Sequence, residues 1–172
     1  GQFIMIREGT AAHNLKALMP LLTQQYYARC MFATDDKHPS DLLYGGHIDY
    51  IVKQALKNGV DPIVALKTAT HHAARYFLLN NKGAIAPGYL ADIVVVNNLE
   101  DFNVEMVFKR VKLVFDGEVK DFSAPTVDEK LAEKCFDTFH LDSVTPSSFK
   151  VDGKLGLIGL VGGELLTRNL GT

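Results

Sequence analysis

Ala28-Arg29-Cys30-Met31-Phe32-Ala33-Thr34 is a short, mostly apolar run that stops abruptly at Asp35-Asp36-Lys37-His38-Pro39. It reads as a strand whose end delivers two carboxylates. An earlier run, Phe3-Ile4-Met5-Ile6, ends the same way in polar Arg7-Glu8-Gly9-Thr10 and reads as a buried strand feeding a turn. Between the two, Ala11, Ala12, Leu15, Leu18 and Met19 recur at helical spacing up to Pro20, with Thr10 placed as an N-cap. Strand, helix, strand predicts a right-handed βαβ unit in which Phe3–Ile6 and Arg29–Ala33 pair in parallel, and so an α/β fold.

Downstream, a helix is expected from Gly46 to about Asn58, with Ile48, Ile51, Val52, Ala55 and Leu56 on one face and Gly59 as its C′ residue. Asp61-Pro62 restarts a helix, Asp as N-cap and Pro at N1, that is expected to run past Phe77 and stop around Asn80-Asn81-Lys82-Gly83. The period then changes. Ala91–Val96, Val104–Phe108 and Val111–Phe115 are strand candidates, and Asp116-Gly117 has the chemistry of a type I′ turn, leading into Val119. Residues 85–120 therefore form a small β unit. Ser123-Ala124-Pro125 reads as a linker, and Thr126 to Glu129 as a capping box before a short helix through Ala132. Near the end, Leu155–Val161 and Glu164–Thr167 flank Gly162-Gly163 as a hairpin.

The 172 residues are 47% hydrophobic and 22% charged, enough apolar material for a core, and the net charge is −2. With no basic field to hold a phosphate backbone, nucleic-acid binding is disfavoured. No apolar run approaches the roughly 20 residues that span a bilayer, and no basic segment followed by an apolar stretch marks a secretory signal. Cys30 and Cys135, far apart and outside any CxxC pattern, exclude a disulfide framework and a four-cysteine zinc site and fit a reducing cytosol. The chain opens on Gly1 and runs at once into an apolar strand, which suggests that it is cut from something longer.

Asp35 and Asp36 stand where α/β folds place ligands and reacting groups, at the C-terminal end of a parallel strand. An acid there can bind a metal or act as a base, but a strand-end Asp can equally cap the next turn. Glu8 ends the neighbouring strand and would face the same mouth, to take a proton or bond a base edge; its plainer reading is an ion pair with Lys16 or Arg29. Among six histidines, His71 and His72 are adjacent in a helix and diverge by about 100°. His38 and His47 lie in the loop after the Asp pair, and His13 and His140 in amphipathic or linker surroundings. No HxH or HExxH spacing occurs, so the three or more ligands of a hydrolytic metal centre are not evident. Gly83-Ala84-Ile85-Ala86-Pro87-Gly88 lacks the ending of a phosphate loop. Tyr26, Tyr27, Tyr76 and Phe77 read as core or subunit-contact aromatics.

Ile4-Met5-Ile6-Arg7-Glu8-Gly9-Thr10-Ala11-Ala12, Phe32-Ala33-Thr34-Asp35-Asp36-Lys37-His38-Pro39, Gly46-His47-Ile48-Asp49-Tyr50-Ile51-Val52 and Gly59-Val60-Asp61-Pro62 resemble the last strands and helices of the barrel in bacterial-type adenine deaminases, of the amidohydrolase superfamily. Residues 83–94 resemble the return from barrel to β-sandwich shared across that superfamily. The resemblance implies the last two βα units of a TIM-like barrel over 1–84, a β-sandwich segment over 85–122 and the start of a C-terminal domain over 123–172. It implies hydrolysis of adenine to hypoxanthine and ammonia by a metal-bound hydroxide, with Asp35 as metal ligand and proton shuttle and Glu8 and Asp36 beside the substrate. Divalent manganese or iron is the implied metal in the whole enzyme. The family's HxH pair and middle-strand ligands have no counterpart, so the chain by itself is expected to be inactive and metal-free. Adenine is the implied small-molecule partner, with no nucleic acid or membrane, with self-association into a homo-oligomer through the Ile4/Met5 and Met31/Phe32 region, and in the cytoplasm. A dihydroorotase-like or amino-sugar deacetylase fragment and a non-catalytic folding or dimerisation module are the alternatives.

Overall fold

In a computed structural model, which describes residues 1–121, 123–136 and 138–171, the two apolar runs become β1 (Ile4–Arg7) and β2 (Cys30–Ala33). They pair in parallel, Ile4 opposite Cys30 through Arg7 opposite Ala33. The intervening helix is shorter than its apolar spacing suggests: α1 covers only Leu15–Leu18, followed by a 3-10 turn over Met19–Leu21. Residues 9–14 are spent on a closed loop instead. Gly9 N–H bonds the Ala12 carbonyl at 2.9 Å, and Arg7 N–H bonds Asn14 Oδ1 at 2.7 Å. Thr10 therefore caps nothing; its hydroxyl donates to Asp41 and accepts from the His38 N–H.

After β2 comes a helix that the sequence pattern does not show, α2 (Pro39–Gly45), capped by His38, whose Nδ1 accepts from Ser40 N–H. Its Leu42, Leu43 and Tyr44 are exposed, so no buried stripe announces it. Helix α3 (Ile48–Lys57) buries Ile51, Val52 and Ala55, and Gly59 turns the chain at φ +81°. Helix α4 (Pro62–Ala69) starts on Asp61, whose Oδ1 accepts from Val64 N–H at 3.0 Å. The helix expected to continue past Phe77 breaks at Thr70 (φ −125°, ψ −77°) and resumes as α5 (His71–Tyr76). Thr70 Oγ1 bonds back to the Leu66 carbonyl at 2.7 Å, a local bond that bends helices. Ile6, Leu15, Leu22, Cys30, Phe32, Ile51, Val52, Ala55, Val64, Ala65 and Phe102 form one buried cluster, so the helices pack on the parallel pair. Tyr27 packs against this core, whereas Tyr26 and Phe77 are more than half exposed.

Strands β3 (Ile93–Val96), β4 (Val104–Lys109) and β5 (Lys112–Phe115) make an antiparallel sheet in that order, with β3 and β5 as its outer strands among the described residues. The turn with left-handed residues at both central positions is Arg110-Val111 (φ +48° and +73°), not Asp116-Gly117, where only Gly117 is left-handed. A β-branched residue rarely adopts that conformation. Here it is pinned from outside: Arg110 N–H bonds Asp92 Oδ1 at 3.0 Å and Val111 N–H bonds the Ala91 carbonyl at 3.1 Å. Lys82 and Lys109 both reach Asp92 Oδ2, at 2.8 and 2.6 Å, and hold its carboxyl well below the usual range.

The chain divides into two compact units, Gly1–Lys120 with Leu160–Thr167, and Asp121–Gly159 with Arg168–Thr172. Helix α6 (Glu129–Phe136) is capped by Asp128, whose Oδ1 accepts from Lys130 and Leu131 N–H, rather than by the capping box expected on Thr126. Strands β6 (Leu157–Leu160) and β7 (Thr167–Gly171) form a two-stranded sheet around Gly162-Gly163, the second strand starting where the expected one was to end. Among the described residues no helix is long and apolar enough to cross a membrane.

Candidate functional site

Because β1 and β2 are parallel and in register, their C-terminal ends open on the same side. Glu8 follows β1 directly and Asp35 follows β2 by two residues. Asp35 sits in the left-handed region at φ +58°, which Asp tolerates better than most residues. Its Oδ2 takes a short charge-assisted bond from Arg7 Nη1, and half of its side chain is open to solvent.

Glu8 pairs with neither Lys16 nor Arg29. Its Oε1 meets His13 Nδ1 at 2.8 Å, and His13 Nε2 meets the Thr10 carbonyl at 2.9 Å. Both ring nitrogens thus face acceptors, which only the doubly protonated imidazolium can satisfy. The Glu8 bond raises the His13 pKa above its ordinary value. The Glu8 side chain is only 16% exposed, and Oε2 takes no hydrogen bond among the described residues. Glu8, Thr10, His13, Lys37, Asp41, Tyr44 and Tyr50 line an open cleft of about 620 Å³, with Lys37 Nζ lying 4.9 Å from the centre of the Tyr50 ring.

Asp36 turns away from this cleft. Its Oδ2 accepts from Ala11 N–H at 2.8 Å, and that bond, first among several backbone N–H contacts, keeps its carboxyl below the usual range. It does not cap the next turn; His38 does. The remaining histidines scatter. His47 Nε2 bonds Thr34 Oγ1 at 3.1 Å, and His72 Nδ1 bonds the Cys30 carbonyl at 3.1 Å, with burial pulling the His72 pKa down. Sequence reasoning gave His13 no role. The only trace of one is its spacing five residues after Glu8, around a glycine.

Asp35 offers one carboxylate, already engaged by Arg7. Among the described residues no three His, Cys, Asp or Glu side chains come together as a metal site. This donor set does not fit a divalent ion on its own.

The amidohydrolase family model matches residues 6–154, and the chain belongs to that family, an α/β family of enzymes that in general depend on divalent metals. Its relatives point further. It is 45% identical over 145 residues to an adenine deaminase of Kosmotoga olearia, covering 76% of this chain and 25% of that protein. It is 38% identical over 170 residues to an adenine deaminase of Thermosipho africanus, covering 99% of this chain and 30% of that protein. The chain thus spans less than a third of the length of these relatives. Among solved structures, a beta-aspartyl dipeptidase from Fervidobacterium islandicum AW-1 superposes with a TM-score of 0.60 at 24% identity, over 72% of this chain and 34% of the other. At that identity the likeness speaks for the fold alone.

Proposed function

We propose that the chain is part of a metal-dependent adenine deaminase, which converts adenine and water to hypoxanthine and ammonia. The observation that carries the reading is similarity to adenine deaminases along nearly the whole chain, 38% identity over 99% of its length in one case. The two acids at one end of the parallel pair support it. In this reading residues 1–84 are the last two βα units of a TIM-like barrel, 85–122 belong to a β-sandwich and 123–172 open a further domain. Asp35 is one ligand of a manganese or iron ion whose other ligands lie outside these 172 residues, and the chain alone does not turn over.

Asp35 also takes a proton from the attacking water and passes it to the departing amino nitrogen, while the water's second proton ends on the ring nitrogen beside C6, so that water's oxygen ends on C6 as a carbonyl and ammonia leaves. Arg7 steadies that carboxylate. Glu8, held by His13 through one oxygen, presents the other to a ring N–H of the base. The whole enzyme is cytoplasmic and self-associates. The test is ammonia release from adenine with added manganese, measured on a longer protein that includes these residues and on the 172-residue chain. Turnover by the longer protein alone is expected. Robust turnover by the chain itself, or none by the longer protein, contradicts the reading.

A further inference from the structure

Asp36 occupies a place that no other side chain could share. Its Oδ1 stands where a Cβ on Gly9 would be, 1.7 Å from that position, and the Thr34 carbonyl is 2.8 Å from the same point. Real Cβ atoms essentially never come that close, so the glycine is what lets the loop after β1 lie against the end of β2. Asp36 Oδ2 then accepts the Ala11 N–H at 2.8 Å. Two further ties join the same segments. Glu8 N–H bonds the Ala33 carbonyl at 3.1 Å, and the His38 N–H bonds Thr10 Oγ1 at 2.7 Å, with the Thr10 hydroxyl donating to Asp41. The first of these bonds extends the parallel ladder by one residue. Beyond it the seam is continued by side chains, the Asp36 carboxylate and the Thr10 hydroxyl.

We propose that Asp36 is a positioning residue: its carboxylate latches residues 9–12 to the end of β2 and so fixes Glu8 relative to Asp35. The kinetic half of this inference rests on the deaminase reading; the structural half does not. The work of the latch is to accept the Ala11 N–H at an exposed position, and an amide oxygen can do that too, though more weakly than a carboxylate. Asp36→Asn should therefore keep the latch, Asp36→Ala should lose it, and Gly9→Ala should displace it. A carboxylate that bound substrate through its charge would behave differently, because Asn and Ala would fail alike.

The first experiment is amide hydrogen exchange on the 172-residue chain, read at Ala11 and, as a control for global unfolding, at Val52. Asp36→Ala should speed exchange at Ala11 about tenfold or more while Val52 stays protected, as expected for loss of a bond to a charged group. Asp36→Asn should speed it clearly less than Asp36→Ala does, because the amide oxygen still accepts the bond. Unchanged Ala11 exchange in Asp36→Ala overturns the latch. The second is steady-state kinetics on the longer protein with adenine. Asp36→Ala should lower kcat about tenfold or more with KM within about twofold, and Asp36→Asn should recover most of that kcat. Gly9→Ala should copy Asp36→Ala, and the double variant should be no worse than either alone. Equal rises in KM for Asp36→Asn and Asp36→Ala overturn the inference. If the unaltered longer protein does not act on adenine, the functional reading fails and the exchange result alone decides the latch.

Discussion

Residues 1–84 and 121–159 treat their apolar side chains in opposite ways. In the first region Ile6, Phe32, Ile51 and Val52 are each at most 5% exposed; in the second Phe136, Phe139, Phe149 and Ile158 are each at least 68% exposed. The difference is one of scaffolding more than of composition. In the first region two paired strands offer a surface, and α3 and α4 carry stripes of matching period that sit on it. In the second, the amphipathic α6 is eight residues long and buries none of them. Apolar content makes a core only where periodic stripes meet a second layer.

That contrast can be broken most forcefully by truncating a side chain in each region. Ile6→Ala should cost about 2–5 kcal/mol in urea unfolding, because it opens a cavity at a fully buried site. Leu131→Ala, at a position 59% exposed on α6, should change stability by less than about 0.5 kcal/mol. Comparable losses from both would mean that the second region has a core after all.

A sharper version compares the two Asp caps. Asp61→Ala should remove about 1 kcal/mol, since Asp61 Oδ1 holds the first turn of α4 against the core. Asp128→Ala should leave the main transition where it is, because the turn it caps is packed on nothing buried. Circular dichroism through a denaturant titration checks both. A drop in the main midpoint for Asp128→Ala would show the two regions to be coupled.

The smallest expected effect is one of pH. His13 has its pKa raised by Glu8, so it binds its proton more tightly folded than unfolded. Its contribution is fully present below the unfolded value of 6.5 and is lost as pH rises through the higher folded value. His13 is 40% exposed, so solvent screening keeps the effect well under about 1 kcal/mol. Melting temperatures recorded from below that range to above it should fall slightly, and Glu8→Gln should flatten the trend. An unaltered slope in Glu8→Gln would assign the effect to another group.

The same contrast explains what the sequence discloses. Strands β1 and β2 are legible because each is a short apolar run ended by charge, and their parallel pairing follows from the short crossover between them. Glu8 and Asp35 are legible as strand-end acids for the same reason. Helix α2 is not, because its Leu42, Leu43 and Tyr44 face solvent and leave no periodic signal. The Arg110-Val111 turn runs against the preference of valine and is imposed by Asp92 from 18 residues upstream. His13 gains its place only once the loop that Gly9 and Asp36 shape has brought it back onto Glu8. The turn and the His13 contact are tertiary decisions, written in residues outside the ones they govern.

The central claim is that Asp35 carries the proton in an adenine deaminase, and it is tested most directly by ammonia release from adenine by the longer protein bearing Asp35→Asn. The substitution keeps the shape of the side chain and removes its charge and basicity. A proton-transfer group is worth about 10²–10⁴ in rate, so kcat should fall at least that far. Turnover near that of the unaltered protein would contradict the assignment.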